Sequence, residues 1–307
     1  MLLPPLYTPI ELSPVCPLGT NSAISRGRFS LDSVSARRAG SPPSEHNRPQ
    51  PGRGGRRMLW HEKGGSGKRV FLLLHGLSAT SGVWSGLESL IDQEGLGRWV
   101  AVDLPGHGRS TARAEYSVGA LAADIASLVR EEPDLFVIGH SLGAYIGLAL
   151  ASHWFGIAVR GVLAIGPKVT WSTAEIQSAH QLATRPVRWY TSAEEVSKHY
   201  RRVSGLDEQI APEEKWLCHA VTHCAEGWRL AQDPRTFEVV GAPFSSLVAS
   251  AQPPVVFARG EHDKLVSESE LQFYSRQVHQ IAGAGHNVHV EKPAEILSLV
   301  QTFNLGD

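Results

Sequence analysis

The sequence Gly139-His140-Ser141-Leu142-Gly143 constrains the fold of this chain more than any other stretch. An apolar run at residues 135–138 precedes it, and an Ala- and Leu-rich segment at residues 144–151 follows it. This order predicts a β-strand, a sharp turn and an α-helix. A G-x-S-x-G pattern at such a turn is typical of a nucleophile elbow, where glycines allow the backbone to expose the serine hydroxyl. We therefore predict that Ser141 is a nucleophile at the carboxyl end of a strand.

A nucleophilic serine needs a general base and an acid that orients the base. An apolar run at residues 254–258 leads into a loop with two carboxylates, Glu261 and Asp263. A second β-like segment, residues 278–281, leads into a glycine-rich loop that carries His286. The candidate base is therefore His286. Asp263 is the candidate acid, and Glu261 is the alternative.

The oxyanion formed during acyl transfer needs hydrogen-bond donors. The strand-like run at residues 70–74 ends in His75-Gly76-Leu77, close to where the elbow is expected. We predict that the backbone N–H groups of Leu77 and Leu142 bind the oxyanion. The predicted substrate-binding residues flank these two motifs or lie further along the chain: His75, Gly76, His140 and Trp171. Both histidines have a structural alternative. His75 would order the oxyanion loop, and His140 would be a packing residue beside the nucleophile.

Apolar runs typical of strands alternate with stretches typical of helices along the body of the chain. The runs are residues 70–74, 99–103, 135–138, 162–165, 255–258 and 278–281. This alternation predicts a mostly parallel sheet flanked by helices. Far more chain separates the fourth run from the fifth than one crossover helix needs. We expect a helical lid at about residues 170–235, where half of the eight tryptophans lie.

From about residue 58 to residue 303 the chain resembles the α/β-hydrolase family. The motifs that carry the resemblance follow one another in the family's order: Leu74-His75-Gly76, Asp103-Leu104-Pro105-Gly106-His107-Gly108-Arg109-Ser110, Gly139 to Gly143, Gly260 to Asp263, and Gly285-His286. The resemblance implies an α/β fold with a mostly parallel eight-stranded sheet, a helical lid and one hydrolase domain over residues 58–307. It also implies that Ser141 is the nucleophile and that His286, rather than the nearby His289, is the base. Asp263 is then the acid that orients His286. It implies no particular substrate, because the fold hosts many chemistries.

Charge is unevenly distributed along the chain. Residues 1–57 carry eight arginines and three acids, a net charge of +5, whereas the remainder carries 21 basic and 27 acidic residues, a net charge of −6. An acidic body argues against nucleic acid as a partner. A hydrophobic content of 42% suffices for a sizeable core, and the sequence has no apolar run of transmembrane length. Three cysteines are too few for a disulfide framework, so we predict a cytoplasmic location.

Residues 1–57 are rich in Pro, Gly, Ser and Arg and lack apolar periodicity, so we predict that most of them are disordered. The opening residues are unlike a secretory signal, because prolines interrupt their apolar run and their amino end lacks positive charge. An organellar transit peptide is one alternative, since the segment is rich in arginine and serine and poor in acids. A translation start at Met58 is another.

Two further patterns resemble ligand sites. Gly64-Gly65-Ser66-Gly67-Lys68 lacks two residues that a phosphate-binding loop requires, and it predicts a turn instead. Cys218-His219 and His223-Cys224 have zinc-like spacing, but on the single helix that we predict there their side chains would point to different faces. We therefore expect neither a metal nor a cofactor.

The sequence predicts a serine hydrolase that cleaves a carboxylic ester or related acyl bond through an acyl-enzyme, with a carboxylesterase as the first choice. A carbon–carbon bond hydrolase or a lactonase of the same fold is the alternative within the class. A ligand receptor that does not turn over is the alternative from another class. The expected partner is a small-molecule ester or acyl substrate, rather than nucleic acid or a membrane, and the oligomeric state is left open.

Overall fold

The computed structural model describes residues 58–275 and 277–302. Nine strands form within these residues: β1 (His61–Gly65), β2 (Val70–Leu74), β3 (Arg98–Val102), β4 (Leu135–His140), β5 (Val159–Ile165), β6 (Val221–Cys224), β7 (Gly227–Leu230), β8 (Val255–Gly260) and β9 (Val278–Ile281). Seven of them build one sheet in the order β1-β3-β2-β4-β5-β8-β9. Only β1 runs antiparallel to its neighbour in this sheet. The predicted α/β fold with a mostly parallel sheet is therefore confirmed.

The resemblance implied eight strands, whereas the sheet has seven within the described residues. The strand β1 is the first described strand, and it pairs with β3 at one edge of the sheet. Any strand beyond it would have to come from outside the described residues, which is also where the predicted N-terminal extension, residues 1–57, lies.

The central strands form because their sequences are apolar throughout. All five residues of β2 are buried, as expected of a parallel strand that is covered on both faces. Successive side chains point to opposite faces, so Leu72 enters one core cluster and Leu73 the other. Predicted and observed strands agree in β2 and β9, and the predictions for β3, β4, β5 and β8 differ at the ends. The strands β1, β6 and β7 were not predicted.

Nine α-helices lie within the described residues: α1 (Ser85–Gln93), α2 (Val118–Leu128), α3 (Leu142–Leu150), α4 (Thr173–Ala183), α5 (Ala193–Val203), α6 (Phe244–Ser250), α7 (Glu268–Gln272), α8 (Val288–Glu291) and α9 (Pro293–Thr302). Helices α2, α3 and α6 cover one face of the sheet and share its core cluster. Helices α1 and α9 cover the other face. Three short 3-10 helices complete the helical structure of the described chain: Ser81–Trp84, Lys215–Ala220 and Pro234–Val239.

The chain between β5 and β8, which we call the insertion (residues 166–254), is only partly helical. It contains α4, α5 and α6, but also the two-stranded antiparallel hairpin β6–β7. The helix predicted across Cys218 and Cys224 is wrong, because a 3-10 helix ends at Ala220 and β6 begins at Val221. Among the described residues, no group of His, Cys, Asp and Glu side chains is arranged to hold a metal.

Two helices of the insertion, α4 and α5, begin at side-chain caps. Ser172 caps α4 in a reciprocal capping box with Glu175, and Ser192 caps α5 by accepting from the N–H of Glu195. None of the helices in the described part of the chain combines the length and the apolar character needed to span a bilayer.

Candidate active site

Ser141 lies at the turn between β4 and α3 with φ 50° and ψ −110°, a strained conformation for a residue other than glycine. The two neighbouring glycines make this turn possible. A Cβ atom at Gly139 would lie 2.3 Å from the carbonyl oxygen of Gly143, and one at Gly143 would lie 2.0 Å from that of Leu74. The Ser141 side chain makes no capping hydrogen bond to α3. Its hydroxyl is therefore free to face the cavity described below.

His286 and Asp263 form a hydrogen-bonded pair. His286 Nδ1 donates to Asp263 Oδ2 over 2.9 Å, and the Asp263 side chain is fully buried. The backbone N–H of Leu265 donates to Asp263 Oδ1 over 2.8 Å, so both carboxylate oxygens are engaged. Glu261, the alternative acid, instead accepts from the N–H of Gly283. The carboxylate that faces His286 is thus that of Asp263.

The turn after β5 brings this pair next to the elbow. The N–H of Ser141 donates to the carbonyl of Ile165 over 2.8 Å, and Gly166 follows at once. A Cβ atom at Gly166 would lie 3.2 Å from Asp263 Oδ2 and 3.3 Å from His286 Cε1. The turn therefore places the His286–Asp263 pair near Ser141 at the carboxyl edge of the sheet.

Arg259, a buried residue of β8, fixes the loop that carries Asp263. Its Nη2 donates to the Asp263 carbonyl over 3.0 Å, and its Nε donates to the Val266 carbonyl over 3.0 Å. A third group, Nη1, donates to Gln280 Oε1 on β9 over 2.5 Å. Sequence reasoning missed this residue, although an arginine inside an otherwise apolar strand is a signal that it has buried partners.

His75 lies beneath the oxyanion loop, where it is fully buried. Its Nδ1 donates to the Gly76 carbonyl over 2.7 Å, and its Nε2 accepts from the N–H of Leu104 over 2.9 Å. Both ring nitrogens are thus engaged by backbone groups, and burial lowers the pKa of the imidazole. The position fits the structural alternative, since His75 is not part of the cavity wall.

The rings of His140 and His289 pack at tilted angles behind His286. The ring of His140 lies 4.6 Å from that of His286 and 4.3 Å from that of His289, and its Nε2 donates to the His286 carbonyl over 3.0 Å. Burial lowers the pKa of His289 to about 3, and its ring nitrogens have no hydrogen-bond partner within the described structure. Gly76 contacts the same group, because a Cβ atom there would lie 2.8 Å from His140 Nδ1. These residues pack around the candidate base and lie outside the cavity wall.

Asp103 anchors the loop on the other side of the site. It accepts hydrogen bonds from the N–H of Ser81 over 2.8 Å and from Arg109 Nε over 2.9 Å. Burial alone would raise the pKa of Asp103, but the hydrogen bonds from Arg109 and Ser81 outweigh burial and hold the pKa below its usual value. Arg109 also pairs with Glu62 of β1 over 2.6 Å, so this network ties the site to the sheet edge.

A cavity of about 60 Å³ opens beside Ser141. Its wall is formed by Leu77, Ser141, Leu142, Tyr145, Lys168, Trp171, Val239, Val240 and Gly241. Three of the predicted site residues, Leu77, Leu142 and Trp171, thus lie in the wall with Ser141. Leu142 is the first residue of α3, so its N–H has no partner within the helix and points out of the positive end of the helix dipole.

Sequence reasoning missed the rest of the wall. Tyr145 lies one helical turn after the elbow on α3, and Lys168 lies in the loop after β5, which also ends at this edge of the sheet. Both positions follow from the G-x-S-x-G motif and the predicted strand. Residues 239–241 come from the far end of the insertion, and no local signal in the sequence places them beside Ser141.

The model of the alpha/beta hydrolase family matches residues 71–299. The chain therefore belongs to the alpha/beta hydrolase family, and its fold is that of a hydrolase. The biotin biosynthesis bifunctional protein BioHC of Cellvibrio japonicus is 28% identical over 255 residues, which is 76% of this chain and 47% of that protein. Protein phosphatase methylesterase 1 of Bos taurus is 34% identical over 97 residues, 29% of this chain and 26% of that protein. The chain thus spans about half, or less, of the length of these relatives.

Solved structures of hydrolases share the fold. A thioesterase domain from the curacin biosynthetic pathway superposes with a TM-score of 0.66 at 22% identity, over 80% of this chain and 99% of that domain. E-2-(acetamidomethylene)succinate hydrolase superposes with a TM-score of 0.65 at 24% identity, over 81% of this chain and 96% of that protein. At these identities the likeness concerns the fold alone.

Proposed function

We propose that this protein is a serine hydrolase that cleaves carboxylic esters through a Ser141–His286–Asp263 triad. The observation that carries the proposal is the convergence of a strained, cavity-lining Ser141 with the hydrogen-bonded pair of His286 and Asp263. A serine with a purely structural role gains nothing from a strained turn in which its side chain makes no capping hydrogen bond. A nucleophile, in contrast, needs a turn that exposes its hydroxyl.

In the proposed reaction, Ser141 Oγ attacks the ester carbonyl carbon while His286 Nε2 accepts the hydroxyl proton. The backbone N–H groups of Leu77 and Leu142 stabilise the resulting oxyanion. His286 then donates the proton to the departing alcohol, which leaves Ser141 acylated. Water, deprotonated by His286, attacks the acyl carbon and releases the acid, and the proton returns to Ser141.

Asp263 has two tasks in this scheme. Its hydrogen bond to Nδ1–H keeps Nε2 of His286 unprotonated and directed towards the serine. Its charge stabilises the imidazolium that forms when His286 takes the proton. Because both carboxylate oxygens are already engaged, the side chain reaches this geometry before a substrate arrives.

The cavity favours a carboxylesterase for small esters. A volume of about 60 Å³ accommodates a short acyl group, and most of its wall is apolar or aromatic. Trp171 and residues 239–241 belong to the insertion, so we propose that the insertion acts as the lid. The methylesterase among the relatives supports an ester as substrate.

Turnover of p-nitrophenyl acetate and butyrate tests the proposal. Ser141→Ala should lower kcat roughly 10³-fold or more and leave the fold intact. The matched control is Ser152→Ala, just after the other end of α3, where the hydroxyl donates to the Ala149 carbonyl and lies away from the cavity wall. Retained activity in Ser141→Ala would reject the triad. A single slow event per protein molecule, with no steady state, would instead favour a receptor.

A cytoplasmic location is proposed for the same protein, from its sparse cysteines. Fluorescent fusions with and without residues 1–57 test this location, because a transit peptide would send only the longer fusion to an organelle.

A further inference from the structure

Lys168 places a positive charge in the wall of the candidate active site. Among the described residues that line the cavity, it alone carries a charge. It follows β5 by three residues, so it lies at the same carboxyl edge of the sheet as Ser141. Only 14% of its side chain is exposed. An ammonium group in a mostly apolar wall is costly unless it is paired, so the position implies a partner.

Three contacts fix Lys168 before a ligand binds. The hydroxyl of Tyr145 donates to the Lys168 backbone carbonyl over 2.5 Å. Lys168 Nζ donates to Glu175 Oε1 over 2.7 Å and lies 4.9 Å from the centre of the Trp171 ring, within range of a cation–π interaction. A charge held in this way loses little further freedom when a ligand binds to it.

Glu175 uses only part of the hydrogen-bonding capacity of the Lys168 ammonium group. Its second oxygen, Oε2, accepts from the N–H and the hydroxyl of Ser172 at the start of α4. The hydrogen bond from Lys168 and those from Ser172 lower the pKa of Glu175 to about 2, so it is ionised at neutral pH. Glu270 also lies within electrostatic range of Lys168. A lysine ammonium has three N–H donors, and Glu175 takes one of them, which leaves donors for a ligand in the cavity.

We propose that Lys168 makes the site selective for esters whose acyl chain ends in a carboxylate, so that the substrates are monoesters of short dicarboxylic acids. The inference rests on the ester hydrolysis proposed above. With the ester carbonyl at Ser141, a short chain directs its carboxylate towards Lys168 across a cavity of about 60 Å³. The Lys168 side chain is only 14% exposed, and a charge-assisted hydrogen bond is stronger where water is largely excluded.

The test compares monomethyl succinate with methyl succinamate, in which a neutral amide of the same shape replaces the carboxylate. Acid release in a pH-stat gives kcat/KM for each ester. The wild-type protein should prefer monomethyl succinate. Lys168→Met should lower the ratio of the two kcat/KM values about 10- to 100-fold, and Lys168→Arg should restore most of the ratio.

Glu175→Gln is the matched control, because it breaks the same ion pair and leaves the ammonium group in the cavity. It should keep the preference for monomethyl succinate. If Glu175→Gln and Lys168→Met each lower the turnover of the two esters by the same factor, Lys168 only stabilises the structure through its ion pair. That result overturns the inference. A wild-type ratio near one overturns it as well.

Failure of this inference differs from failure of the proposed function. If neither these esters nor the p-nitrophenyl esters turn over and a fluorophosphonate does not label Ser141, both proposals fall. Turnover and labelling without a preference for the carboxylate reject only the role of Lys168. If acetoxyacetate, whose carboxylate lies on the leaving group, shows the Lys168 dependence instead, the placement on the acyl chain is wrong.

Discussion

Asp263 and Glu261 lie two residues apart in one loop, yet the structure gives them different partners. Asp263 is buried and holds His286, while Glu261 is exposed and accepts from the Gly283 N–H. Arg259 determines which carboxylate faces His286. It donates to backbone carbonyls on this loop and so orients the chain between the two carboxylates. The proposed role of Asp263 thus depends on a residue that touches neither substrate nor nucleophile.

Asp263→Asn should lower kcat on the order of 10⁴-fold and leave the fold intact, because an amide no longer dictates the productive tautomer of His286. Steady-state turnover of p-nitrophenyl butyrate measures the loss, and circular dichroism checks the fold. Glu261→Gln is the control and should change kcat little. A larger loss in Glu261→Gln than in Asp263→Asn would assign the acid to Glu261.

The sequence predicted the individual residues of the site as far as local motifs reach. Ser141 is specified by a strand, two glycines and a helix that are contiguous in sequence, and Gly285-His286 follows a recognisable strand. Asp263 was predicted as the acid with Glu261 as the alternative, because the side chain that faces His286 depends on how Arg259 holds the loop. The position of residues 239–241 in the cavity wall likewise depends on tertiary contacts, whereas Tyr145 and Lys168 lie close to motifs that the sequence shows.

The turn after β5 connects the nucleophile to its proposed base. Gly166 has φ +55°, and a side chain there would press on both Asp263 and His286. Gly95, in the loop after α1, has a similar φ of +59° but open space around it. These two glycines share the same backbone requirement and differ in their surroundings.

Gly166→Ala should lower kcat for p-nitrophenyl butyrate at least about 10-fold, because its Cβ atom would press on Asp263 and His286, and small displacements of a catalytic pair are costly to catalysis. Both substitutions place an alanine at a positive φ, so each should lower the free energy of unfolding by about 1 kcal/mol. Gly95→Ala should do so without affecting kcat. Thermal denaturation and turnover of both variants measure the two effects. Equal kcat values in the two variants would show that Gly166 does not position the pair.

Elements were predictable where the sequence pattern is strong. The buried parallel strands are continuous apolar runs, so β2 and β9 were predicted to the residue. The edge strand β1 was missed, because its sequence His61-Glu62-Lys63-Gly64-Gly65 is polar and exposes part of its surface. The hairpin β6–β7 was missed as well, because its short strands are only partly buried and carry no clear alternation.

The whole molecule buries several histidines in a neutral state. Burial lowers the pKa of His107 and of His289 to about 3, and that of His140 well below its usual value. The unfolded chain protonates these groups below about pH 6.5, whereas the folded chain does not. These histidines therefore do not reduce the free energy of unfolding above pH 6.5. They reduce it progressively as the pH falls from 6.5 towards 3.

His289→Phe should make the protein less sensitive to acid. Between pH 7.5 and pH 5.0, one such histidine costs the folded state about 2 kcal/mol, and phenylalanine removes that cost. The ring nitrogens of His289 have no hydrogen-bond partner in the described structure, so the variant loses no hydrogen bond. Thermal denaturation at both pH values should show a smaller fall in Tm for the variant. The same fall in both proteins would contradict the assignment.

The central claim is that Ser141 is an activated nucleophile, and covalent labelling tests it most directly. Wild-type protein and Ser141→Ala are treated with a fluorophosphonate, and intact mass is measured with peptide mapping of the adduct. We predict one adduct per wild-type chain, located on Ser141, and none in Ser141→Ala. An adduct of equal yield in Ser141→Ala, or none on folded wild-type protein, would contradict the claim.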